Sequence, residues 1–122
     1  MSQPARAPVR VFACRLVALE HGHVVVVRLS PDATGRPREA IVLCDGRRVV
    51  RAYLNLCRHL PVPLDAASRD FLRDGQLQCA THGARYRLED GLCVVGPCRG
   101  ASLFALPVHI EGDEVFVYEP VQ

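Results

Sequence analysis

The chain has 122 residues, about half of them hydrophobic, with six cysteines and a formal net charge of +2. That length suits one domain with a core of its own. The even charge balance excludes a nucleic-acid footprint, and no segment approaches the roughly 18 consecutive apolar residues of a membrane helix. All fifteen basic residues are arginine, a bias from which no function follows.

The opening MSQPARAPVR has arginines but no apolar stretch ending in a small-residue cleavage site. The sequence therefore predicts a cytoplasmic chain with a flexible tail over 1–8 and a single domain over 9–122. Val9–Leu19 alternates loosely, and His23–Ser30 is rich in β-branched residues, so both read as strands. Pro31–Glu39 contains turn formers and reads as a hairpin loop. Residues 40–44 (AIVLC) and 47–55 (RRVVRAYLN) flank Asp45-Gly46, a strong hairpin signal.

From Leu56 to Gly83 the periodicity fails. Pro61 and Pro63 interrupt regular structure, residues 65–75 suit one helical turn with Asp65 as N-cap, and a short strand QLQC precedes the loop ATHGA. Hairpins then resume: ARYRLE and LCVVG flank Asp90-Gly91, while LFALPVHIE and EVFVYE flank Gly112-Asp113. Gly96–Gly100 (GPCRG) forms a tight loop between them. The expected fold is all-β, a small antiparallel sandwich or barrel with an inserted piece at approximately 55–100.

That piece carries the chemistry. Cys57-x-His59 and, twenty residues after His59, Cys79-x-x-His82 each occupy a loop held between strands. Thiolate and neutral imidazole both bind borderline-soft metal ions. Without an export signal, metal or redox roles are favoured over a disulfide framework. On these residues alone a structural Cys₂His₂ zinc site, in a binding module without redox function, competes with an iron–sulfur site. The tight first pair usual for zinc is missing.

CRHLPVPLD followed by CATHGARYRLEDGLCVVGP resembles the Rieske iron–sulfur domain in box order, box spacing and the glycine after the second histidine. The resemblance covers roughly residues 51–106. It implies one [2Fe–2S] cluster, with Cys57 and Cys79 on one iron and His59 and His82 on the other. It further implies histidines at an exposed tip, with ring protons that couple to the redox state. Neutral imidazoles in place of two thiolates put such clusters at about −150 to +300 mV, against about −400 mV for plant-type clusters.

The same resemblance places Gly83, Ala84, Tyr86 and Pro97 around the cluster, Pro97 as its shield. High-potential relatives carry an extra cysteine per box, joined as a disulfide; Val62 and Thr81 stand there in this chain. Ala84 replaces a serine that donates a hydrogen bond to sulfur, while Tyr86 keeps a hydroxyl for that purpose. Fewer donors predict a potential in the lower half of the range. The implied function is that of a ferredoxin-like electron carrier between a flavin reductase and an oxygenase or other acceptor. It is not expected to be an enzyme by itself, because the remaining histidines lack the spacing of an oxygenase iron site.

Cys93 and Cys98 flank the GP of the third loop. They read as small buried hydrophobes or as a redox pair, the latter making a regulatory sensor a third reading. Cys14 and Cys44 fit core positions in strands, His21 and His23 an exposed turn, and His109 a strand without a role. Arg58, Arg85 and Arg99 either guide an acidic partner or form a solvated rim.

Overall fold

The computed structural model describes residues 9–58, 63–64, 72–73, 75–79 and 83–120. The expected tail at 1–8 and the helical turn capped by Asp65 lie outside the described residues.

The described strands are β1 (Arg10–Arg15), β2 (Val25–Leu29), β3 (Arg38–Cys44), β4 (Val50–Leu54), β5 (Leu72–Arg73), β6 (Gln76–Gln78), β7 (Arg85–Arg87), β8 (Cys93–Val95), β9 (Ala105–Leu106), β10 (Val108–Glu111) and β11 (Glu114–Tyr118). They pair antiparallel into three sheets: β1-β11-β10, β2-β3-β4-β9 and β5-β6-β7-β8. The all-β expectation holds.

The strand β3 explains the layering. Ala40 and Val42 face a core shared with Cys14, Leu19, Leu29, Val115 and Val117. Ile41 and Leu43 face a second core with Tyr53, Leu77, Tyr86 and Leu103. Side chains alternate across a strand, so an unbroken apolar run means that both faces are covered. β4 repeats the pattern with Ala52 on one side and Tyr53 on the other. The middle sheet therefore separates the β1-β11-β10 sheet from the β5-β8 lobe. Two polar groups tie these layers. Glu119 accepts from the Ser30 N–H at 3.0 Å and its hydroxyl at 2.8 Å, and Tyr53 donates to the Leu88 carbonyl at 2.6 Å.

Three local readings need correction. The first predicted strand stops at Arg15, and Leu16–Gly22 forms a 3₁₀ segment broken at Glu20 and His21; Leu19 thereby drops into the core, which loose alternation did not reveal. β3 begins at Arg38, inside the predicted loop, because Leu29 pairs with Arg38 and Arg28 with Glu39. Leu72–Arg73, late in the 65–75 stretch, is strand, while the turn after Asp65 lies outside the described residues. Pro107, without an N–H, splits the predicted strand 103–111 into β9, on the middle sheet, and β10, on the outer one.

The Asp45-Gly46 turn is correctly placed but differently built. The Asp45 carboxylate accepts from the Arg47 and Val49 N–H groups at 2.8 and 3.0 Å, and Arg48 takes the left-handed conformation. Side-chain capping of the turn replaces the expected two-residue geometry.

Candidate metal centre and its three loops

Three loops meet at one end of the β5-β8 lobe. The first leaves β4 at Asn55. The Asn55 N–H reaches the Glu39 carbonyl at 2.8 Å. Its side-chain Oδ1 accepts from the Leu64 N–H at 2.8 Å, and Nδ2 donates to Glu39 Oε1 at 3.3 Å. Asn55 is 6% exposed and Leu64 fully buried. One side chain therefore pins the neck of a loop that contains Cys57 and His59, and the sequence reading passed over it. An asparagine in a Leu-Asn-Leu stretch, where alternation leads into the core, was the available signal.

The second loop joins β6 to β7. Cys79 donates its N–H to Ala84 at 2.7 Å and accepts from the Gly83 N–H at 2.8 Å. Gly83 has φ +74°, which suits glycine in so tight a closure. The third loop follows β8. A Cβ on Gly96 would sit 2.9 Å from the Ala84 Cα, and Gly96 has φ +106°. Glycine there lets the third loop lie directly on the second. Pro97 is exposed on that loop and Ala84 wholly buried.

Cys57 (3% exposed) and Cys79 (0%) belong to the same buried cluster, with Leu64, Leu77, Tyr86 and Cys93. Both are free of disulfides. The other two residues of the predicted quartet, His59 and His82, lie outside the described residues. Among the described residues no three His, Cys, Asp or Glu side chains gather as a metal site.

Tyr86 connects the loops. Its Oη accepts from the Arg58 N–H at 3.0 Å and lies 3.5 Å from Cys57 Sγ and 3.1 Å from Cys98 Sγ. Burial, then the contacts with Cys98 and Cys57, raise its pKa well above the usual phenol value. The hydroxyl therefore keeps its proton at neutral pH. Cys93 is buried and its thiol is pushed up to about 11, chiefly by burial and then by the bond to Cys98. Its Sγ donates to the Val95 carbonyl at 3.2 Å and lies 3.2 Å from Cys98 Sγ. Cys98 is only partly buried.

Two buried sulfurs at the mouths of adjacent loops, with an O–H donor beside one of them, fit an iron–sulfur core chemically: thiolates supply ligands and the donor tunes them. At the outer lip the Arg58 guanidinium stacks over the exposed Phe104 ring, 4.3 Å from its centroid. Of the remaining histidines, His21 and His23 are exposed, and His109 packs near Phe116.

The Rieske [2Fe-2S] domain family matches residues 10–118. No curated protein matches the sequence. Among solved structures, the ferredoxin of carbazole 1,9a-dioxygenase from Nocardioides aromaticivorans IC177 is 29% identical with a TM-score of 0.59, covering 92% of this chain and 97% of that one. The Sphingomonas yanoikuyae B1 ferredoxin is 23% identical with a TM-score of 0.69, covering 92% and 100%. A chain from a complex of reduced oxygenase and oxidized ferredoxin in carbazole 1,9a-dioxygenase gives 20% identity and a TM-score of 0.72, covering 93% and 95%. These matches favour the iron–sulfur reading over the zinc module. The chain belongs to the Rieske [2Fe–2S] domain family and is an electron-transfer protein carrying one such cluster.

Proposed function

We propose that this chain is the ferredoxin component of a multicomponent oxygenase system, holding its cluster with Cys57, His59, Cys79 and His82. In this reading it takes single electrons from a flavin reductase and delivers them to an oxygenase in the cytoplasm, with no catalysis of its own. The observation that carries it is the pair of buried cysteines, Cys57 and Cys79, in one core cluster under Tyr86. The ferredoxin relatives support the partner class, since the match spans 97% and 100% of two of them.

The cluster, when bound, supplies a one-electron couple. The chain's own residues do the rest. Asn55 and Gly83 fix the two ligand loops, and Leu64 and Leu77 exclude water behind the sulfurs. Tyr86 keeps its proton beside Cys57, while Ala84 offers no hydroxyl. One donor rather than two supports a potential in the lower half of the range. Arg58 and Phe104 form a charged and aromatic lip suited to an acidic partner surface.

Anaerobic purification followed by iron and acid-labile sulfide analysis tests the assignment. A red-brown protein with equal iron and sulfide is expected, and Cys57→Ala or Cys79→Ala should remove both. Colourless protein containing zinc defeats it. Reduction by a flavin reductase, then reoxidation by a substrate-loaded Rieske oxygenase, tests the place in the chain of electron flow.

A further inference from the structure

Cys93, Cys98, Tyr86 and Cys57 form a continuous chain of polar contacts. Cys93 Sγ to Cys98 Sγ is 3.2 Å, Cys98 Sγ to Tyr86 Oη is 3.1 Å, and Tyr86 Oη to Cys57 Sγ is 3.5 Å. Backbone bonds hold the third loop in this position. Cys93 N–H donates to Ala101 at 2.8 Å, Gly100 N–H to Cys93 at 3.0 Å, and Ala101 N–H to Cys98 at 2.9 Å. We infer that Cys93 and Cys98 are a redox-active dithiol whose closure to a disulfide turns the Tyr86 hydrogen bond toward Cys57 and so makes the cluster easier to reduce. The inference rests on the proposed role of Cys57 as a ligand.

The two thiols differ as such a pair requires. Cys98 is partly exposed and can meet a small disulfide from solution, whereas Cys93 is 1% exposed. The oxidant is a low-molecular-weight disulfide, R–S–S–R. Cys98, giving up its proton, attacks one sulfur of R–S–S–R and forms a mixed disulfide; the first R–S⁻ leaves and becomes R–SH. Cys93 then attacks Cys98 Sγ, and the second R–S⁻ leaves with the Cys93 proton. Two protein thiols are oxidised and one small disulfide is reduced to two thiols. Closure needs the sulfurs to approach by only about 1 Å more to reach a covalent S–S bond.

The link to the cluster follows from proton counting. A phenol has one proton to donate, and the Arg58 N–H already occupies an acceptor site on Tyr86 Oη. In the dithiol, Cys93 donates to the Val95 carbonyl and Cys98 donates to Cys93. The lone pairs of Cys98 then face Tyr86 at 3.1 Å and compete with Cys57 at 3.5 Å for its single proton. In the disulfide, Cys98 is drawn toward Cys93 and becomes a poorer acceptor. The anionic ligand sulfur then accepts the Tyr86 hydrogen bond, which stabilises the added electron. The expected shift in the reduction equilibrium is on the order of tenfold, about 59 mV upward for one electron.

The sequence supplies a convenient readout. Trypsin cleavage after Arg87 and Arg99 releases one peptide, residues 88–99, containing both cysteines. Holoprotein would be equilibrated anaerobically with mixtures of reduced and oxidised glutathione, alkylated and mapped. In parallel, its midpoint would be measured by dye-mediated titration. The expected result is a peptide that loses two hydrogens and resists alkylation at oxidising ratios, with a midpoint that rises together with it. Cys98→Ser should keep the cluster spectrum and abolish the response.

A peptide alkylated at every ratio overturns the switch, and a linked peptide with an unmoved midpoint overturns the coupling. So does a response that persists in Cys98→Ser. If Cys57→Ala instead retains the cluster, the ligand reading falls while the peptide map still reports on the pair.

Discussion

Replacing Asn55 with alanine tests whether one side chain sets the first ligand loop. The Leu64 N–H, in a fully buried residue, would lose its 2.8 Å acceptor. A buried donor left without a partner costs about 1–3 kcal/mol. The 3.3 Å bond to Glu39 would also go, so a loss of about 2–3 kcal/mol is expected. For a domain of this size roughly 4 °C accompanies each kcal/mol, giving a Tm about 10 °C lower. Thermal unfolding followed by circular dichroism, with cluster absorbance recorded in the same scan, would measure both effects. Bleaching should begin earlier than in the parent protein, because the loop holding Cys57 loosens first. A Tm within about 2 °C of the parent, with unchanged bleaching, would refute the pinning role.

Tyr86→Phe removes the donor beside Cys57 and should lower the cluster midpoint by up to about 60 mV, with the larger fall under oxidising thiol conditions; a rise would contradict the contact geometry. Gly96→Ala puts a Cβ 2.9 Å from the Ala84 Cα at φ +106°. It should destabilise the protein by about 2 kcal/mol or more and speed cluster loss, as urea unfolding and absorbance would report. Burial alone would raise the Asp45 pKa, but the Val49 and Arg47 N–H groups and Arg51 outweigh it and hold the carboxyl below its usual value. A depressed folded pKa gives stability above the unfolded value, about 3.9, that is lost as pH falls through the folded one. Asp45→Asn should therefore flatten the acid limb of stability below about pH 4, and a limb as steep as the parent's would count against this.

Much of this architecture can be read from the chain because its signals are local. Alternation in residues 40–44 and 114–119, with turn residues at Asp90-Gly91 and Gly112-Asp113, marks strands and hairpins without reference to anything distant. The family resemblance likewise sits in two short boxes. What escaped depends on contacts between remote residues. Arg38 and Glu39 read as loop until Arg28 and Leu29 are seen to pair with them. Asn55 reads as a strand end until Leu64 returns to it. Cys93 and Cys98 read either as packing or as redox residues, since five residues of separation cannot say whether two sulfurs meet.

The middle sheet acts as a party wall. Odd and even positions of β3 answer to different rooms: position 42 can drift with Val115 and Val117 while position 41 stays matched to the lobe that houses Cys57. Substitutions behind the wall are thereby insulated from the metal's surroundings, and a lineage can refit its outer sheet without retuning its electron.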